Sequence, residues 1–253
     1  MDALVWGQAQ DGVLARIEIF NGGADSLESI WPLIGLQRAA SVDESADVPE
    51  AEFHWAVDAS EPVSMSMLES EFALFAAEHL SSGVAIHAAL LEHLGRVLLL
   101  PGPSFIGKSS LAAAADAAGW NVLSDEYAVV DPLSYLVYGW PRHIKLREGQ
   151  GWIRGASARA HEPHGVDLIA FLNFSSDDLI AGATALTVRH FEPGEAAMEL
   201  LANTVCAQRR PKDSFIVASA LARTTPAISG VRGEADRAIQ SLAQLLAAAI
   251  GLT

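Results

Sequence analysis

Apolar positions change their period several times along this chain, and each change marks an element. In the first sixty residues the apolar runs are short and alternating, ARIEIF (15–20) and FHWAVDA (53–59). Turn-rich and acidic stretches such as SVDESADVPE (41–50) separate them. This predicts a small β-containing region with a mobile loop near 41–51. Ser66 to Glu69 then reads as a capping box, and Leu68, Phe72 and Phe75 follow at helical spacing. A helix over about 67–80 is expected, stopping near Ser81-Ser82-Gly83.

Two apolar runs come next, GVAIHAALL (83–91) and GRVLLLPG (95–102), and both predict strands. After a glycine loop, a helix is expected from Lys108 to Ala118, with Gly119 as its C-terminal stop. Strand regions are predicted in NVLSDEYAVVD (121–131), YLVYGWPRHIKLR (135–147), VDLIAFLNF (166–174) and ATALTVRHF (183–191). PGEAAMELLANTVCAQ (193–208) starts a helix, SFIVASALA (214–222) suits strand or helix, and EADRAIQSLAQLLAAAI (234–250) reads as a terminal helix. Helices alternating with apolar strands predict an α/β fold. The division expected is a β-containing region over 1–65 and one larger domain over 66–253.

Composition narrows the function classes. The 253 residues are 51% hydrophobic and 19% charged, so the chain can bury a sizeable core. No apolar run reaches bilayer length, and the start MDALVWGQAQDG lacks a secretory layout; a cytoplasmic protein without a membrane partner is expected. A net charge of −15 opposes nucleic acid as a partner, because counterion displacement needs a basic footprint. The single cysteine, Cys206, rules out an internal disulfide and is expected to pack inside a helix.

Between the second apolar strand and the following helix, Gly102 to Ser109 reads G-x-x-x-x-G-K-S. Strand, glycine loop, lysine and hydroxyl in this order form a phosphate-binding loop. Its amides can curve around phosphate oxygens, and the helix behind presents its positive end. The residues expected to hold ATP are Gly102, Pro103, Ser104, Phe105, Ile106, Gly107, Lys108, Ser109 and Ser110. Lys108 would reach the terminal phosphates and Ser109 a magnesium ion. Phe105 is bulky for such a loop and is expected to pack against the core.

The loop by itself does not select a reaction. The chain has no N-K-x-D segment of a GTPase switch and no L-S-G-G-Q segment of a transporter cassette. Asp125 and Glu126 fall at the carboxyl end of the next strand, where open α/β sheets bind ligands. An acid there can hold a metal or take the proton of an attacking hydroxyl. On the preceding strand, alternation puts Val84 and Ile86 on one face and Ala85, His87 and Ala89 on the other.

This succession, from the His87 strand through the loop to the Asp125-Glu126 pair, resembles the catalytic segment of the HPr kinase/phosphorylase family. It is closer to that family's short relatives, which include lasso-peptide precursor kinases. The resemblance spans residues 83–147. It implies a P-loop kinase core of HPr-kinase type, with Asp125 as the base for an acceptor serine. It also implies Glu126 with Ser109 and Asp125 near magnesium, and His87 near the transferred phosphate. HPr kinases have aspartate at the second acid, and this chain has Glu126. No counterpart of their later segment is visible, which points away from HPr as substrate and from phosphorolysis. HPr kinases are hexamers, so a homo-oligomer is compatible with the resemblance.

A basic run, PRHIKLR (141–147), stands out in the acidic chain. A similar run follows the acid strand in the short relatives, and Arg142 is the residue expected to face the moving phosphoryl group. Arg189 is a weaker candidate at a strand end, and QRRPKD (208–213) reads as a solvent loop. Trp120, Trp140 and Trp152 are expected in the core. The function expected is an Mg-ATP-dependent kinase acting on a hydroxyl, serine foremost, of a peptide or small protein. The alternatives are a small-molecule hydroxyl kinase and a nucleotide-binding regulatory or assembly protein. A phosphoenolpyruvate carboxykinase relative fits less well, since the chain is short and lacks a lysine–histidine pair for a second metal.

Overall fold

The computed structural model describes residues 3–8, 14–22, 37–38, 53–80, 82–140, 143–145, 152–155, 158–175 and 186–249. The acidic stretch 41–51 lies outside them. The chain divides into two compact units, Met1–Ser81 and Ser82–Thr253.

In the first unit, β1 (Ala3–Gln8) and β2 (Leu14–Phe20) run antiparallel, and β3 (Gln37–Arg38) pairs with β1. β4 (Phe53–Asp58) lies parallel to β2, giving the order β3-β1-β2-β4. Alternation decides which side is buried: Ile17, Ile19 and Val57 are inside, while Arg16 and Glu18 pair at 2.9 Å on the other face. Helix α1 runs Pro62–Glu78, five residues ahead of the expected start at 67. The Ser66–Glu69 box therefore lies within the helix. The start is set by Pro62, whose fixed φ suits the first helical position, after an extended Glu61. Leu68 and Phe72 are fully buried, and Phe53 stands edge-on to Phe72 with ring centroids 4.7 Å apart.

The second unit is an eight-stranded mixed sheet carrying four of the five helices among the described residues. β5 (Val84–His93) and β6 (Arg96–Pro101) form a hairpin. Leu94 and Gly95 both take positive φ, +51° and +77°, as a two-residue turn matched to strand twist demands. The region 121–131 holds two short strands, β7 (Asn121–Ser124) and β8 (Tyr127–Val130), interrupted at Asp125-Glu126. β9 (Val137–Gly139) follows, and β10 (His143–Lys145) pairs with β11 (Trp152–Gly155) apart from the main sheet. The sheet is completed by β12 (Leu168–Phe174), β13 (Leu186–His190) and β14 (Ala227–Arg232). Its order is β13-β14-β12-β6-β5-β8-β9, with β7 also on β5. The β6–β12–β14 part is parallel and the rest antiparallel.

Helices cover both faces. α2 (Lys108–Ala117) and α5 (Ala235–Ala248) share a core with Leu91, Leu98, Leu168 and Ala170. α3 (Pro193–Ala202) and α4 (Pro211–Thr224) share the other with Ile86, Leu90, Leu99 and Ile169. The ambiguous run 214–222 is helical: Ser214, Val217, Ala218, Leu221 and Ala222 form a buried 3.6-residue stripe, and Ala220 beside it is buried as well. Gly119 takes φ +82° just past α2, as a helix stop requires. Cys206 is fully buried, in a single 3₁₀ turn (Val205–Ala207) rather than in a continuing helix. No helix among the described residues is long and apolar enough to cross a membrane.

Candidate phosphate-binding site

The loop begins where β6 ends. Gly102 N–H donates to the carbonyl of His87 on β5 at 3.1 Å, tying the loop's first residue to the neighbouring strand. A Cβ on Gly102 would lie 2.0 Å from Ile106 Cδ1, so any larger residue there requires the Ile106 side chain to shift. Phe105 and Gly107 take φ +74° and +87°, so the backbone reverses twice before α2 starts. Such left-handed turns ahead of a helix aim successive amides inward, the arrangement that suits an anion. Lys108 is 6% exposed, and its ammonium donates to the carbonyls of Gly102 at 2.7 Å and Pro103 at 2.9 Å.

Phe105 does not pack in the core. It is 81% exposed, because its positive φ turns it outward and Ile106 fills the space over Gly102 instead. Pro103, Ser104 and Ser110 are also exposed.

Asp125 and Glu126 form the break between β7 and β8. Ser124 Oγ accepts the N–H groups of Glu126 (3.3 Å) and Tyr127 (3.2 Å), which turns the chain there. Asp125 is 3% exposed, and Ser109 Oγ donates to its Oδ2 at 2.9 Å. The Glu126 side chain is half-buried, and its carbonyl accepts the Ala88 N–H at 2.9 Å. The fold thus brings the loop hydroxyl and the first acid into contact. Two hard oxygen donors suit magnesium, which completes its shell with phosphates and water. Among the described residues no group of three or more His, Cys, Asp or Glu side chains could hold a metal on its own.

His87 is half-buried beside this junction, its ring 5.7 Å from that of Tyr127. Its N–H donates to the Asn203 carbonyl at 2.7 Å. Trp120 and Trp140 are buried, as expected of core residues. Arg142 and Arg147 lie outside the described residues, as do the side chains of Lys145 and Trp152. Arg210 pairs with Asp213 at 2.8 Å at the start of α4, so the 208–213 segment is a helix entry rather than a plain loop. Arg189 is exposed and donates twice to Glu195, at 3.1 and 3.2 Å. That bond holds the Glu195 carboxyl below its ordinary range and the Arg189 guanidinium above its own.

Sequence reasoning missed Arg232. It ends β14, is 3% exposed, and its Nη2 donates to the carbonyls of Ile106 (3.2 Å) and Gly107 (3.1 Å). Its Nη1 donates to Gly233 O at 2.9 Å, and the guanidinium lies 5.1 Å from the Phe174 ring centroid. Burial holds it below its ordinary range, while nearby Glu234 pulls the other way. The only sequence signal was an arginine closing an apolar run before Gly233-Glu234. A cavity of about 320 Å³ opens beside the loop's first half, walled by β12, β13, β14 and α3. A scan against protein-family models finds no match to this chain, and a comparison with curated proteins finds none either.

Proposed function

We propose that this chain is an Mg-ATP-dependent kinase with a P-loop core of HPr-kinase type, transferring the terminal phosphoryl group to a hydroxyl, serine foremost, of a peptide or small protein. One observation carries the reading: Ser109 Oγ meets Asp125 Oδ2 at 2.9 Å, so the phosphate loop and a buried acid form one site. A glycine loop alone binds nucleotide. A carboxylate held against its hydroxyl supplies the second function that transfer needs.

In this proposal the loop amides and Lys108 bind the β- and γ-phosphates. Ser109 and Asp125 hold magnesium with Glu126 close by, and the ion when bound offsets charge on the phosphate oxygens. The acceptor oxygen attacks the γ-phosphorus, forming the new O–P bond as the bond to the ADP oxygen breaks. The acceptor proton passes to Asp125. His87, whose carbonyl anchors Gly102, stands on the same side of the loop as the acid and orients the transferred group.

The test is to incubate protein, Mg-ATP and serine-containing peptides, then search by mass spectrometry for phosphate on serine. Wild type should yield a phosphopeptide and Asp125→Asn should not. Transfer by Asp125→Asn at the wild-type rate would refute the base. Tight ATP binding with no phosphorylated acceptor of any kind would refute the kinase and leave a regulatory nucleotide-binding protein.

A further inference from the structure

We propose that the cavity beside the loop is the acceptor site, and that it takes a peptide in which the hydroxyl residue has an apolar neighbour and a basic one. The inference rests on the kinase reading and adds the class of substrate.

Position is the first argument. α2 leaves the loop across one face of the sheet, together with α5. The cavity lies on the opposite face, where Phe171 and Phe191 join the α3–α4 core. It is also lined by Gly102 and Pro103, whose carbonyls hold the Lys108 ammonium, and by Ile106, whose carbonyl accepts from Arg232. A group seated there lies against the first residues of the loop on the face that the helix leaves open. A side chain extended from it across Gly102 would have to reach over the loop toward Asp125. Asn203 connects the two places: it walls the cavity, and its carbonyl accepts the His87 N–H at 2.7 Å.

The lining gives the chemistry. Phe171 and Phe191 meet edge-to-face at 5.2 Å, and Val231 and Ile106 extend this apolar floor. A volume of about 320 Å³ is at the small end for ligand sites, room for one or two residues rather than a folded surface. Arg189 lines the cavity too, but its charge is met by both carboxylate oxygens of Glu195. Glu199 is exposed on the α3 wall, and the chain carries a net charge of −15. The field at the cavity therefore favours a cationic neighbour and repels an acidic one.

The experiment uses a positional library of synthetic peptides around a fixed serine. It is read twice, as phosphorylation with Mg-ATP and as fluorescence anisotropy with Mg-ADP. Wild type should prefer aliphatic or aromatic residues at one adjacent position. It should also prefer Lys or Arg over Asp or Glu at another by about 10-fold, the size of one charge contact. Glu199→Lys, on an exposed helix face, should abolish or invert the charge preference, and Val231→Trp should abolish the apolar one. Calorimetry with Mg-ATP confirms that each variant is folded and binds nucleotide. A flat library, or preferences unchanged in both variants, overturns the proposal. Phosphorylation of free hydroxyl metabolites without any peptide also overturns it and leaves the kinase standing. Glu199-dependent binding of basic peptides with no transfer would do the reverse, upholding the site and removing the kinase.

Discussion

The two flanks of the phosphate loop are equally buried and oppositely charged. On the β7–β8 side stands Asp125 and at the end of β14 stands Arg232, each 3% exposed. They hold different things. Asp125 accepts a side-chain hydroxyl from Ser109, the second residue of α2. Arg232 donates to the main-chain carbonyls of Ile106 and Gly107, within the loop itself. The acid can exchange its partner for a metal or a proton without moving the backbone. The arginine cannot let go without freeing two carbonyls at the loop's tightest turn. One flank is suited to chemistry and the other to shape. Among the described residues this buried guanidinium donates only to carbonyls, a costly arrangement that would be offset in part if the loop receives a polyanion as proposed.

The sharpest way to break this contrast is at the residue where shape is most strained. Gly107 has φ +87°, and a Cβ on it would lie 2.0 Å from Arg232 Nη2. Gly107→Ala therefore adds left-handed strain and displaces the guanidinium from both carbonyls. Nucleotide affinity should fall by about 100-fold or more, roughly 3 kcal/mol, in a Mg-ATP calorimetric titration. Unchanged affinity would mean that the loop's shape is not what binds.

Next in size come the flanks themselves. Asp125→Asn should lower turnover by about 10³-fold, as loss of a general base does, with a smaller loss of Mg-nucleotide affinity because the amide oxygen is a weaker donor to the ion. Arg232→Ala should do the opposite, weakening nucleotide binding by about 10- to 50-fold with a smaller effect on turnover at saturation. Arg232→Lys should recover part of that binding, since one ammonium can still reach a carbonyl but cannot span two. If both substitutions shift mainly the same parameter, the division between chemistry and shape fails.

The flanks also differ in how far they could be read from sequence. The acid followed from a strand pattern ending in Asp125-Glu126 soon after the loop helix, because strand ends beside such loops are a local feature. Its contact with Ser109 joins residues only 16 apart. Arg232 reaches Gly107 across 125 residues, through a strand whose AISGVR sequence has no clean alternation. Gly230 in that strand is dictated by a neighbour, for a Cβ there would meet Thr187 O at 2.0 Å. Period-based reading sees hydrophobic faces, so it found β5, β6 and α2 and missed a strand whose purpose is to place a cation. It misplaced Phe105 for a related reason. A large apolar residue reads as core unless its φ is known.

The smallest expected effect comes from the control arginine. Arg189 pairs with Ser229 on β14, three residues before Arg232, yet it is exposed and paired to Glu195. That bond depresses the Glu195 carboxyl in the folded chain. A carboxyl held low contributes stability above its unfolded value, about 4.3, and loses it as pH falls through the folded one. Thermal melts of wild type and Arg189→Met should therefore differ slightly at pH 6 and converge as the pH falls below the usual carboxylate range, with any gap narrowed by salt. Arg232→Met should show a larger deficit that stays constant from about pH 5 to 8, since among the described residues no carboxylate shares its hydrogen bonds and guanidinium does not titrate there. Equal pH profiles for the two variants would show that Arg232 is only another ion pair, and the contrast between the flanks would reduce to one of depth.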